Sequence, residues 1–135
     1  MRAAIHEQGT MLRILVIEDS PVNMALTVAI LESVGNIVLQ AETGLRGIEL
    51  ARQEQPDIIL MDVQLPDIDG LVATRMLKAD PRTARLPVIA LTAFATKSDE
   101  DEARAAGCDG YVTKPIRYKD FLAELDKVLG RNTAH

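Results

Sequence analysis

Four short apolar runs in this chain lead into side chains with distinct chemistry. Ile14-Leu15-Val16-Ile17 runs into Glu18-Asp19, Ile58-Ile59-Leu60-Met61 into Asp62, Val88-Ile89-Ala90-Leu91 into Thr92, and Gly110-Tyr111-Val112-Thr113 into Lys114. A run of that length between turn residues reads as a strand buried in a parallel sheet. Parallel strands point the same way, so their ends share one edge, and the carboxyl edge of an open α/β sheet is where ligands bind. Taken alone, Asp62 reads equally well as a cap on the turn Val63-Gln64-Leu65-Pro66-Asp67-Ile68-Asp69-Gly70. An acid pair, a lone acid, a hydroxyl and an ammonium at the ends of one set of strands point instead to a common site.

Three neighbouring carboxylates raise one another's pKa and do not all stay ionised without a cation. Mg2+ resolves this, because it prefers oxygen ligands, keeps several waters and takes one or two carboxylates directly. In this reading Asp19 and Asp62 ligate, Glu18 holds a metal water, and the backbone carbonyl of Gln64 is the candidate to complete the protein's share. With Lys114 added, the negative and positive charges balance, and Asp62 can attack an electrophilic phosphorus. Phosphoryl transfer asks mainly for positioning and charge stabilisation around three oxygens. Mg2+, Lys114, and Thr92 with backbone N–H groups are the three available partners. The product, an aspartyl phosphate, is a known kind of covalent intermediate. It adds about one net negative charge to the pocket, a pull that Thr92 and Lys114 feel first.

Strands and helices alternate to hold these ends. Ser20-Pro21 fits the N-cap and first position of a helix whose apolar face is Val22, Ala25, Leu26, Ala29, Ile30 and Val34, ended by Gly35. Ile37 to Ala41 is a second strand, and Thr43-Gly44 opens a helix marked by Leu45, Ile48 and Ala51 or Arg52. Leu71, Val72, Arg75, Met76 and Leu77 mark a third helix, broken at Asp80-Pro81. Ser98 with Asp101 makes a capping box for a fourth, with few large apolar residues before Gly107 and so weakly anchored. Tyr118, Phe121, Leu122, Leu125, Val128 and Leu129 form an amphipathic last helix closed by Gly130. Strand followed by helix, five times over, argues a doubly wound parallel sheet with helices on both faces.

At 135 residues the chain is one domain by length. A net charge of -5 argues against nucleic-acid and anionic-membrane binding. A single cysteine, Cys108, excludes an intrachain disulfide and reads as a small packing residue in a reducing compartment. No apolar run approaches a membrane span, so the protein is expected to be cytoplasmic. Residues 1–11 read as a flexible extension, 12–130 as the folded domain and 131–135 as a tail.

Together, Glu18-Asp19, Leu60-Met61-Asp62, Leu65-Pro66-Asp67-Ile68-Asp69-Gly70, Ala90-Leu91-Thr92-Ala93 and Lys114-Pro115 closely resemble the receiver domains of two-component response regulators. The resemblance covers Leu12 to about Leu129. The wording at Val22-Asn23-Met24, Ala93-Phe94-Ala95 and Gly107-Cys108-Asp109-Gly110-Tyr111 looks most like single-domain members that regulate the cell cycle. It implies a flavodoxin-like (βα)5 fold with strand order 2-1-3-4-5. It implies that Asp62 accepts phosphoryl from a histidine kinase or histidine phosphotransfer protein. Mg2+ would sit on Asp19, Asp62 and the Gln64 carbonyl with Glu18 assisting, and Thr92 and Lys114 would sense the phosphoryl group. Tyr111 would be the aromatic switch residue, and Lys114-Pro115 would be cis. Glu18 departs from the aspartate common in the family, but its longer arm still reaches through water. Phe94 is expected to shield the acyl phosphate from water.

The expected role is thus a stand-alone binding module controlled by phosphorylation, without catalytic turnover. No DNA-binding segment follows the last helix, so its output is contact with a downstream protein, and the module is a monomer or weak dimer. Two alternatives stand beside this. One is a phosphate sink without effector output. The other is a phosphohydrolase of the haloacid dehalogenase type, which would want an acid two residues after the nucleophile where this chain has Gln64.

Overall fold

The computed structural model describes residues 11–93 and 96–130. The expected extension (but for Met11), the tail and Phe94 lie outside the described residues. The five apolar runs become strands β1 (Arg13–Ile17), β2 (Ile37–Ala41), β3 (Ile58–Asp62), β4 (Val88–Thr92) and β5 (Gly110–Thr113). Between and after them run α1 (Pro21–Ser33), α2 (Gly44–Glu54), α3 (Gly70–Ala79), α4 (Lys97–Ala106) and α5 (Tyr118–Leu129). All pairings are parallel, in the order β2-β1-β3-β4-β5. The expected fold class and strand order are therefore the observed ones.

Side-chain alternation along the central strands divides the core in two. Leu15, Ile17, Ile59, Met61, Val88 and Ala90 pack with residues of α2, α3 and α4 on one face. Ile14, Val16, Ile58, Leu60, Ile89 and Leu91 pack with α1 and α5 on the other. Each fully buried Val, Leu, Ile or Met among them stabilises the fold by about 1.5–3 kcal/mol. Backbone ladder bonds continue just past the strands: Glu18 N–H reaches the Ala41 carbonyl at 3.0 Å, Val63 N–H that of Leu91 at 3.0 Å, and Lys114 N–H that of Thr92 at 2.7 Å. The residues at the strand ends are thus held by the sheet itself.

The helices correct several expectations. Ser20 does cap α1, accepting from Asn23 N–H, with Pro21 in the first turn. The buried face of α1, however, is Met24, Thr27 and Leu31, while Val22 is 77% exposed and Leu26 43%. This helix is apolar almost all round, so apolar spacing does not select a face, and leucines lie on both sides of it, Leu31 buried and Leu26 exposed. In α2 and α3, Leu45, Val72 and Met76 lie outside, and the buried residues are Gly44, Gly47, Ile48 and Ala51 and Gly70, Ala73, Thr74 and Leu77. The approach is too close for large residues: a Cβ on Gly47 would stand 2.3 Å from Ile17 Cδ1. The α4 cap is Thr96, whose hydroxyl accepts from Asp99 N–H, rather than Ser98. Thr96 and Ser98 each have an aspartate three residues on, and the earlier pair starts the helix.

Candidate functional site

The carboxyl edge of the sheet brings Glu18, Asp19, Asp62 and Lys114 together. Each acid offers an oxygen, and these atoms all lie within 4.8 Å of one another. Glu18 and Asp62 are each 1% exposed, whereas Asp19 faces solvent. Lys114 Nζ lies 3.0 Å from Asp62 Oδ2 and 3.5 Å from Glu18 Oε1. The other Asp62 oxygen, Oδ1, accepts from Gln64 N–H at 2.9 Å. Asp62 therefore caps its turn with one oxygen and faces the ammonium with the other, so the two readings of this residue coexist. The Lys114–Pro115 peptide bond is cis.

One ammonium does not balance this much buried negative charge. Burial above all, then a hydrogen bond and charge repulsion from Asp62, raises the Glu18 carboxyl from 4.5 to about 7, against the opposing pull of Ser20 N–H and Lys114. Ser20 N–H donates to Glu18 Oε2 at 3.1 Å. The ligand atoms are all oxygens, without thiolate or imidazole, which is a donor set for a hard divalent cation. A second positive charge would relieve the strain that Glu18 registers.

Thr92 lies on the neighbouring strand end, 4% exposed. Its side chain does not share the face of Asp62. In β5, Tyr111 stands opposite Ala90, and by alternation Ala90, Thr92 and Tyr111 address the α4 face. The Thr92 hydroxyl hydrogen-bonds the Tyr111 phenol and lowers its pKa, while burial and then the charges of Asp99 and Glu100 raise it, leaving the phenol above its ordinary value. A cavity of about 480 Å3 lies here, lined among others by Gln64, Leu65, Thr92, Asp99, Glu102 and Tyr111. Glu18, Asp19, Asp62, Gln64, Thr92 and Lys114 thus lie at or just past the strand ends, and Tyr111, inside β5, reaches this edge through its bond with Thr92; Phe94 lies outside the described residues.

Two residues were missed in the sequence. Asp67 accepts from Gly44 N–H at 2.8 Å and Leu45 N–H at 2.9 Å, tying the loop after β3 to the start of α2. The available signal was an α2 sequence with no acid in its own first turn. Glu124 Oε2 accepts from Tyr111 N–H at 2.9 Å, joining α5 to β5. No sequence signal marks that contact.

The chain is similar to known proteins along nearly all of its length. The family model for the response regulator receiver domain matches residues 14–126. The polar-differentiation response regulator DivK of Brucella ovis is 41% identical over 117 residues, which cover 87% of this chain and 95% of that protein. The receiver domain of the sensor histidine kinase PA1611 from Pseudomonas aeruginosa, crystallised with a magnesium ion coordinated in the active site cleft, is 36% identical. It superposes with a TM-score of 0.82, covering 90% of this chain and 99% of that one. The chemotaxis response regulator CheY4 of Vibrio cholerae, 24% identical with a TM-score of 0.83 and coverage of 88% and 99%, shares the fold. None of these findings favours a haloacid dehalogenase-type phosphohydrolase. Among the described residues no helix is long and apolar enough to cross a membrane. With acids, hydroxyl and lysine at the ends of parallel strands ordered 2-1-3-4-5, and with these relatives, the chain belongs to the response regulator receiver domain family of two-component signalling.

Proposed function

We propose that Asp62 accepts a phosphoryl group from a phosphohistidine on a sensor histidine kinase or histidine phosphotransfer protein, and that the modified chain then changes its protein contacts. The observation that carries this reading is a buried carboxylate at the end of a central strand, 3.0 Å from an ammonium and within 4.8 Å of two further acids. Asp62 Oδ attacks phosphorus, the P–N bond breaks and the histidine leaves. Lys114 accompanies the oxygens throughout, and Thr92 takes a further oxygen by turning its hydroxyl from Tyr111. Asp19, Asp62 and the Gln64 carbonyl would hold Mg2+, with Glu18 reaching it through water. Bound there, the ion supplies the missing positive charge. The magnesium in the PA1611 receiver domain supports this assignment.

Loss of the Thr92 hydroxyl would free the Tyr111 phenol, and the adjoining cavity gives the ring room to turn. The α4 helix buries only Ala103 and Ala106, so it is the element most easily displaced. Tyr111, α4 and α5 then form the surface read by a downstream protein. In this reading the protein is cytoplasmic, promotes only its own phosphorylation and dephosphorylation, turns over no substrate and binds no nucleic acid. The test is intact-mass measurement after incubation with a small phosphodonor. The wild type gains one phosphoryl mass with Mg2+ and not with EDTA, and Asp62→Asn gains none. Equal labelling of both proteins, or of neither, overturns the reading.

A further inference from the structure

We infer that Asp67 is a positioning residue for phosphoryl transfer, setting the spacing between the two halves of the Mg2+ site by holding the loop after β3 against α2. The inference rests on the function proposed above. Residues 63–69 join β3 to α3 and include Gln64. The loop is fixed at its ends: Val63 N–H donates to Leu91, Gly70 N–H returns to the Val63 carbonyl at 2.9 Å, and Asp69 Oδ1 caps α3 by accepting from Leu71 N–H at 2.7 Å. Between them Pro66 and Asp67 are exposed. Asp67 anchors this middle part through two bonds, one from each of Gly44 N–H and Leu45 N–H.

Those donors are the first two N–H groups of α2, where the helix dipole favours a carboxylate and where α2 carries no acid of its own. Desolvation raises the Asp67 carboxyl, and the bonds from Leu45 and Gly44 N–H outweigh it and hold the carboxyl below its ordinary range. Packing agrees with them, since a Cβ on Gly44 would stand 2.7 Å from Ile68 Cγ1 and 3.4 Å from Leu65 Cδ1. The helix is in turn seated on β1, where Gly47 lies against Ile17, the residue before Glu18-Asp19. A continuous mechanical path thus runs from Gln64 through Asp67 and α2 to the acid pair. A metal that takes ligands from both ends of this path needs its length fixed.

The experiment is a Mg2+ titration of the unphosphorylated protein, read by amide NMR shifts, for wild type, Asp67→Ala, Asp67→Asn and Thr43→Ala. Thr43 caps the same helix through its bond from Arg46 N–H at 3.1 Å, so its removal controls for loss of α2 stability. Asp67→Ala is expected to weaken Mg2+ binding about tenfold, the lower range for residues that orient metal ligands. Asp67→Asn keeps one acceptor oxygen and should lie between, whereas Thr43→Ala should stay within about twofold of wild type. Phosphorylation of Asp67→Ala should recover at saturating Mg2+. Wild-type affinity in Asp67→Ala, or an equal loss in Thr43→Ala, overturns the inference and leaves the proposed function standing. A wild type that binds no Mg2+ overturns both.

Discussion

Raising the pH of the metal-free protein from 4.5 to about 7 is expected to destabilise it, through Glu18. In the folded chain this carboxyl is 1% exposed, and its pKa is lifted from 4.5 to about 7 by burial first and by its bond with Asp62 second. Between those values the folded state keeps a proton that the unfolded chain has released. The stabilisation is therefore fully present below 4.5 and is lost as the pH rises through about 7. At about 1.4 kcal/mol per pH unit, the interval amounts to about 3 kcal/mol. Asp67 and Asp80 act in the opposite sense: their folded pKa values are lowered from 3.8, so their contributions are lost only under stronger acid, outside this window. The assay is urea unfolding in EDTA across the interval for wild type and Glu18→Gln. The difference between the two cancels His6 and His135, which both proteins carry. Wild type should lose stability with rising pH, and Glu18→Gln should give a nearly flat profile. A flat wild-type profile, or the same slope in both, refutes the reasoning.

Three further expectations concern the scaffold. Gly70→Ala puts a Cβ 2.1 Å from the Asp62 carbonyl oxygen, a backbone atom that cannot turn aside. It should cost about 3 kcal/mol or more in urea unfolding. Thr27 has a buried hydroxyl without a hydrogen-bond partner, so the near-isosteric Thr27→Val should raise stability by about 1 kcal/mol in the same assay. Thr96→Ala removes the α4 cap and should cost about 1 kcal/mol, with faster amide exchange in that helix. Ser98→Ala should leave exchange near wild type, and the reverse pattern would return the cap to Ser98.

The sheet was legible because its strands are apolar runs bounded by turns, and the site because the chemistry sits where those runs stop. Glu18, Asp62, Thr92 and Lys114 follow from that rule alone, and the metal reading from three neighbouring acids. Helix faces were less legible. The apolar circumference of α1 gives spacing nothing to discriminate, and α2 and α3 meet the sheet through glycine and alanine where a search for large residues looks elsewhere. The Thr96 and Ser98 caps have equivalent local patterns, each with an aspartate three residues on, so local sequence does not choose between them. Contacts across the fold had no local mark. Asp109 Oδ2 accepts both Val88 N–H at 2.9 Å and Lys78 Nζ at 3.0 Å, and Asp67 reaches α2 across 22 and 23 positions. The pairing of Thr92 with Tyr111 was available in principle, since alternation and strand register put both on the α4 face.

The central claim is that phosphoryl transfer ends on Asp62 and on no other carboxylate. Borohydride reduces an acyl phosphate to an alcohol, so protein phosphorylated in Mg2+ and then reduced should carry homoserine at its acceptor position. Peptide mass mapping is expected to find homoserine at position 62, dependent on phosphodonor and abolished by EDTA. Homoserine at Asp19 or another acid, or none in protein that has gained the phosphoryl mass, would contradict the account.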